Sequence, residues 1–197
     1  MNKSKKIFLI ITSILALLLA SFFVLKVINP NLFYKVGQKV DSLHGVSVYY
    51  NGNVGNVEGR QLAKDGYNIG LKYQCVEFVK RYYYEHFNHM MPNSYGHAKD
   101  FFNKTLKDGT LNKDRNLKQY TNSSKTKPKV SDLVVYSGTI YNRYGHVSII
   151  SKVNKNTIEI IQQNPGTYGK SRVDFKLERE NGKWTIKNNQ ILGWLRK

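Results

Sequence analysis

Cysteine is nearly absent: Cys75 stands alone in 197 residues. That excludes an internal disulfide framework. It also argues against a metal centre, because a lone cysteine and five scattered histidines show no ligand spacing. Acidic residues are scarce too, with 13 Asp and Glu against 31 Lys and Arg, a formal charge of +18. Such a balance favours an anionic partner: nucleic acid, acidic lipid or an anionic cell-wall polymer. No internal repeat occurs, and no low-complexity tract beyond the apolar N-terminal run. What is present, 41% hydrophobic and 13% aromatic residues, suffices for one core over a length suited to one domain.

The N-terminus narrows the location. Lys3, Lys5 and Lys6 precede a run from Ile7 to Leu25 whose only polar residues are Thr12, Ser13 and Ser21. A helix of that length spans roughly 28 Å, about one bilayer core. The leading lysines place residues 1–6 in the cytoplasm and everything after Lys26 outside. A cleaved secretory signal fits the same basic start and apolar run. The run continues through Phe22, Phe23, Val24 and Leu25 beyond Ala20 and Ser21, and no Ala-x-Ala follows, which favours an uncleaved single-pass anchor in the cell membrane over a secreted product. Either location sets nucleic acid aside. Without Lys3, Lys5, Lys6 and Lys26 the exported part still carries 27 basic against 13 acidic residues, or +14. The expected partners are therefore peptidoglycan or another anionic envelope polymer, with the membrane met through the N-terminal helix. The expected division is residues 7–25 as anchor or signal, 26–40 as a short tether, and 41–197 as one domain.

Along that domain, Val46–Tyr50 alternates and runs into Asn51-Gly52, which predicts an edge strand or hairpin turning there. Residues 53–71, with Gly55, Gly59, Gly66 and Gly70, read as an irregular loop delivering Cys75 to a helix start. In that helix Val76, Val79, Tyr83 and Phe87 form the apolar stripe, and Lys80, Arg81 and Glu85 lie off it. Gly96–Phe102 predicts a second short helix with His97 exposed in its first turn. The Lys-rich stretch 104–129 reads as a mobile loop beside a cleft, its lysines a solvated surface. Period-two segments follow at 132–136, 145–150, 157–162, 183–186 and 191–195. Helices first and an antiparallel sheet afterwards predict an α+β domain behind one transmembrane helix.

Cys75 in the first turn of its helix would face unpaired N–H groups and the positive end of the macrodipole, which together lower a thiol pKa. The bland alternative is a small buried hydrophobe. His146 follows Gly145 at a strand start. If the next turn is Asn154-Lys155-Asn156, opposed residue numbers sum to 310, placing His146 opposite Asn164 and diagonal to Gln162. A two-residue turn would shift that parity. A thiolate, an imidazole and a polar group that orients the imidazole are the parts of a nucleophilic site. Cys75, His146 and either Gln162 or Asn164 can fill them, whereas His44, His86, His89 and His97 lack a strand context beside polar partners. The alternative for His146 is a satisfied core histidine.

Gln74-Cys75-Val76-Glu77-Phe78, the stretch from Lys127 to Tyr136, Gly145-His146-Val147, Gln163-Asn164 and Ile191-Leu192-Gly193-Trp194 together resemble the CHAP family, the cysteine- and histidine-dependent amidohydrolases and peptidases of papain-like fold. Within it they are most similar to glutathionylspermidine-type amidase domains. The likeness covers roughly Gly37 to Leu195, with separate motifs in the right order. It implies Cys75 as nucleophile, His146 as general base, the Cys75 N–H in an oxyanion hole, Gln162 as the third group, Gln74 and Asn164 as substrate-contacting or orienting groups, and no cofactor or metal. Gln162 departs from the Glu usual there, and an amide orients an imidazolium without stabilising its charge. Ser131-Asp132 replaces the usual Gly-Asp, a change expected to be harmless. The activity implied is that of a membrane-anchored amidase or thiol endopeptidase cutting peptidoglycan peptides. Two alternatives stand beside it: a glutathionylspermidine-type amidase, and a weakly active or non-catalytic wall-binding module.

Overall fold

The computed structural model describes residues 2–27 and 31–197. Helix α1 (Lys3–Val27) contains an apolar stretch, Lys3–Val24, long enough to cross a bilayer, a property that signal sequences share. The remainder is α+β. Strands β1 (Lys39–Leu43) and β2 (Val46–Tyr49) form one hairpin, and β3 (Arg60–Leu62) and β4 (Asn68–Leu71) a second. Helix α2 (Cys75–Phe87) follows, then a single 3-10 turn at Ala98–Phe101. Eight strands complete the chain: β5 (Thr110–Asn112), β6 (Leu117–Thr121), β7 (Leu133–Tyr136), β8 (His146–Val153), β9 (Thr157–Ile161), β10 (Arg172–Glu180), β11 (Lys183–Ile186) and β12 (Ile191–Arg196). They form one antiparallel sheet in the order β11-β10-β9-β8-β7-β12-β6-β5.

Both faces of the central strands are buried, and β7 shows how. Leu133 and Val135 join Phe78, Val79, Tyr82 and Tyr83 of α2 together with Val147, Ile149 and Ile161. Val134 and Tyr136 point the other way, into a cluster with Ile150, Ile158, Ile160, Leu177, Ile186 and Trp194. That second face needs no covering helix because the sheet curls onto itself. Its edge strand β11 pairs back to Ser124, just after β6, and Asn122 grips Ile186 through both backbone groups. Gly193 permits the close crossing of β12 over β6, since a Cβ there would lie 2.0 Å from the Tyr120 carbonyl oxygen.

Several expectations are revised. The hairpin turn lies at His44-Gly45, both at positive φ (48° and 85°), and Asn51 is buried instead of turning the chain. Residues 31–40 belong to the domain: Asn31 is buried, and β1 begins at Lys39 because β2 needs a partner for its backbone. The stretch 53–71 contains the β3–β4 hairpin, and 104–129 contains β5 and β6, with Leu117 and Tyr120 buried among the lysines. Strand β10 was missed in the sequence although Val173, Phe175 and Leu177 alternate there with Arg172, Asp174, Lys176 and Glu178, and these apolar residues pack into the second cluster. Lys80 and Arg81 are buried. His97 is exposed, as expected, at the start of the 3-10 turn.

Candidate active site

Cys75 begins α2, behind Gln74 in an extended conformation (φ −80°, ψ 158°). The backbone N–H groups of Val147, Val76 and Cys75 itself lie near enough to the sulfur to favour its ionised form. Since Val147 directly follows His146, the helix start and the start of β8 meet here. Cys75 is half-buried as a residue, while protein atoms crowd the sulfur, and this burial pushes the thiol up to about 11. The expected lowering by the helix terminus is therefore overturned. The three N–H donors do act in that direction, but desolvation of the thiolate outweighs them.

His146 is the first residue of β8. Gly145 before it has φ +75°, and a Cβ there would lie 2.6 Å from the Tyr136 carbonyl oxygen, so only glycine lets the chain turn so tightly into the strand. His146 Nε2 lies 2.9 Å from Gln162 Oε1, and Gln162 Nε2 donates to the Lys170 carbonyl at 3.0 Å. A carbonyl can only accept, so the Lys170 contact fixes which end of the amide faces the ring. Oε1 must then receive a proton from Nε2, which leaves Nδ1 as the unprotonated, basic nitrogen. Burial lowers the imidazole to about 4, with the Gln162 hydrogen bond opposing. At neutral pH the two groups rest as a thiol and a neutral imidazole.

The pairing that aligns His146 arises differently from the expected turn. Val153 pairs with Ile158, and Asn154 N–H donates to the Thr157 carbonyl, so the turn has two residues, Lys155-Asn156, and numbers there sum to 311. A bulge at Ser151 shifts the register, and Ile150↔Ile160 and Ile149↔Ile161 sum to 310. The bulge thus restores at the site the parity that the short turn removed. Strand β9 ends at Ile161, so Asn164 does not lie opposite His146. Its Nδ2 instead donates to Gln74 Oε1 (2.8 Å) and the Val54 carbonyl (2.9 Å), while Gln74 Nε2 donates to the Asn56 carbonyl at 2.7 Å. Gln74 and Asn164 therefore clamp each other and residues 54–56, and the polar contact to the imidazole is made by Gln162.

Gln163, noted in the sequence only through the resemblance, is the connecting residue. Fully buried, it accepts from the Tyr49 N–H (2.8 Å) and donates to the Gln74 carbonyl (3.0 Å) and to Glu77 Oε2 (2.7 Å). Glu77 in turn holds Arg81 at 2.5 Å, both buried on α2. The chain Gln163–Glu77–Arg81 ties the segment after β9 to the helix that presents Cys75. The signal available in the sequence was the polar pair Glu77 and Arg81 at helical spacing, but a charged i,i+4 pair reads equally as a solvated face.

His89 is a satisfied core histidine, hydrogen-bonded to the Arg115 carbonyl at 2.9 Å, and His44 contacts the Tyr82 hydroxyl at 2.7 Å. Among the described residues no three His, Cys, Asp or Glu side chains gather as metal ligands.

The chain is 27% identical over 144 residues to trypanothione synthetase of Crithidia fasciculata, covering 72% of this chain and 22% of that protein. It is 28% identical over 138 residues to the bifunctional glutathionylspermidine synthetase/amidase of Escherichia coli (strain K12), covering 64% and 22%. The chain thus spans about a fifth of the length of these curated relatives. A solved structure described as the crystal structure of Ly7917 matches 38% of this chain and 30% of its own at 23% identity, with a TM-score of 0.23, too low to carry an argument. The CHAP domain model matches residues 65–164, which spans α2, His146 and Gln162–Asn164. The chain belongs to the CHAP domain family.

Proposed function

We propose that this chain is a membrane-anchored cysteine amidohydrolase or endopeptidase that cuts amide bonds in peptidoglycan peptides. Family membership and an amidase among the relatives support a hydrolase acting on amide bonds. The observation that carries the finer reading is the hydrogen bond by which Gln162 orients the His146 ring, on a strand whose next residue, Val147, brings its backbone N–H near the Cys75 sulfur. In the mechanism, Nδ1 of His146 removes the thiol proton as the sulfur attacks the amide carbonyl carbon. The Cys75 N–H stabilises the developing oxyanion. The imidazolium then protonates the departing amine, leaving a thioester on Cys75, and the neutral imidazole activates water to hydrolyse it. Because the resting pair is neutral, proton transfer accompanies attack and Gln162 need only orient the ring.

The anionic wall fits the +14 charge beyond α1 and a domain displayed outside the cell. The test is release of new termini from purified wall or stem peptides by residues 27–197 and by Cys75→Ala, read by mass spectrometry. Equal release by both variants would remove the assignment. A second reading, hydrolysis of glutathionylspermidine, is favoured by the relatives' names and separated by offering that conjugate. A third, a binding module with a detuned site, is favoured by Gln162 and the raised thiol. Absence of turnover on both substrates with wall binding intact would select it.

A further inference from the structure

Only residues 28–30 separate the end of α1 at Val27 from Asn31, which is already built into the domain. Asn31 Nδ2 donates to the Thr167 carbonyl at 3.1 Å, and its Oδ1 accepts from the Phe33 N–H at 2.9 Å. Four Cα–Cα steps reach at most about 15 Å, so a helix that crosses a bilayer leaves Asn31 in or just above the headgroup layer. At that height the domain displays Leu32 (94% exposed) and Phe33 (86% exposed). Tyr34 and Tyr168 are exposed on the rim of the adjoining cavity of about 460 Å³, which Asn31 and Thr167 also line. Lys35, Lys39 and Lys170 are exposed in the same segments, and residues 31–40 contain no acidic side chain. Apolar and aromatic side chains beside lysines match the interface of an anionic lipid surface, whereas water alone gives no reason for two adjacent, almost wholly exposed apolar residues.

We propose that Leu32, Phe33, Tyr34 and Tyr168, flanked by these lysines, rest on the outer surface of the bilayer that α1 crosses, so that the domain is docked on the membrane and not suspended from it. This rests on the anchored reading of α1. The docked face continues directly into the site: the segment bearing Thr167 and Tyr168 leads to Lys170, whose carbonyl holds the Gln162 amide that faces His146. Catalysis would then be confined to amide bonds lying within one domain's height of the membrane.

The test uses the full chain in a Cys75→Ser background, reconstituted into phosphatidylcholine–phosphatidylglycerol vesicles. A single environment-sensitive fluorophore is placed at Phe33→Cys or, as control, at Lys183→Cys. Lys183 pairs with Glu180 at the far end of β10, about 26 Å of strand from Arg172. Docking gives several-fold stronger quenching of the residue-33 label than of the residue-183 label by headgroup nitroxide lipids, and protection of the residue-33 label from aqueous iodide. A floating protein whose two labels respond alike overturns docking while leaving the anchor standing. A protein that does not float with vesicles overturns the anchor and docking together.

Discussion

Lys80 and Arg81 are consecutive on α2 and both buried, yet their charges are met in opposite ways. Arg81 has a carboxylate, Glu77, and lies over the rings of Tyr49 and Phe78, at 5.1 and 5.8 Å. Lys80 has none. Its Nζ donates to the carbonyls of Asn68 and Ser94 (2.8 Å for the latter) and sits 4.8 Å from the Tyr67 ring. Burial lowers it to about 7, with repulsion from Arg115 and Arg60 adding to the effect. A paired buried charge depends on its partner, and a lone one depends on pH. His146, whose neighbour is an amide, belongs with Lys80 in this respect.

The largest effect is expected from breaking the pair. Arg81→Met leaves Glu77 buried without its cation and should destabilise the domain by about 3–5 kcal/mol, read by chemical denaturation. Because Glu77 also holds Gln163, activity should fall even where the variant remains folded.

Next comes the lone cation. The folded state lets go of the Lys80 proton near pH 7, whereas an unfolded lysine keeps it to about 10.5. The unfolded state therefore binds more protons between those values, and stability should climb as pH goes from 7 to 8, below the range where the Cys75 thiol of the unfolded chain ionises near 9. Lys80→Met should flatten this climb in denaturation midpoints measured across that window. A climb that survives the substitution would assign it to another group.

Gln162→Glu converts His146 from the lone kind to the paired kind. In the wild type the folded imidazole takes a proton only near pH 4, below its ordinary 6.5, so stability is complete above pH 6.5 and falls as pH drops toward 4. A carboxylate beside Nε2 should raise the folded value. It should lessen that acid loss and move the acid limb of kcat/KM to higher pH, which a pH–rate profile reads directly.

The smallest change is at Ser131, which holds φ +73° where glycine is at ease. Its hydroxyl meets the Tyr82 hydroxyl at 2.7 Å, and its carbonyl accepts from Tyr83 at 3.0 Å. The left-handed backbone costs about 1–2 kcal/mol, and a hydrogen bond returns about 1 kcal/mol. Ser131→Gly should therefore shift stability by no more than about 1 kcal/mol, measured as a change in denaturation midpoint.

What the sequence determined by itself is whatever local periodicity and rarity encode. The apolar run of α1, the start of α2 at Cys75, the period-two strands β7, β8, β9, β11 and β12, and His146 with either Gln162 or Asn164 as candidate partners all follow from side chains read in order. Tertiary structure decided what depends on neighbours remote in sequence. Strand β10 carries its own period-two signal in Val173, Phe175 and Leu177, but its place between β9 and β11 was decided by pairing. Lys80 and Arg81 are interior because β4 and the segments carrying Tyr49 and Ser94 close over α2, which no helical periodicity can show. Asn164 turned to Gln74 because β9 stops at Ile161, and the register at His146 came from a bulge at Ser151. The thiol is held above its ordinary value because burial is a property of the whole packed domain, and desolvation there exceeds the pull of three N–H groups.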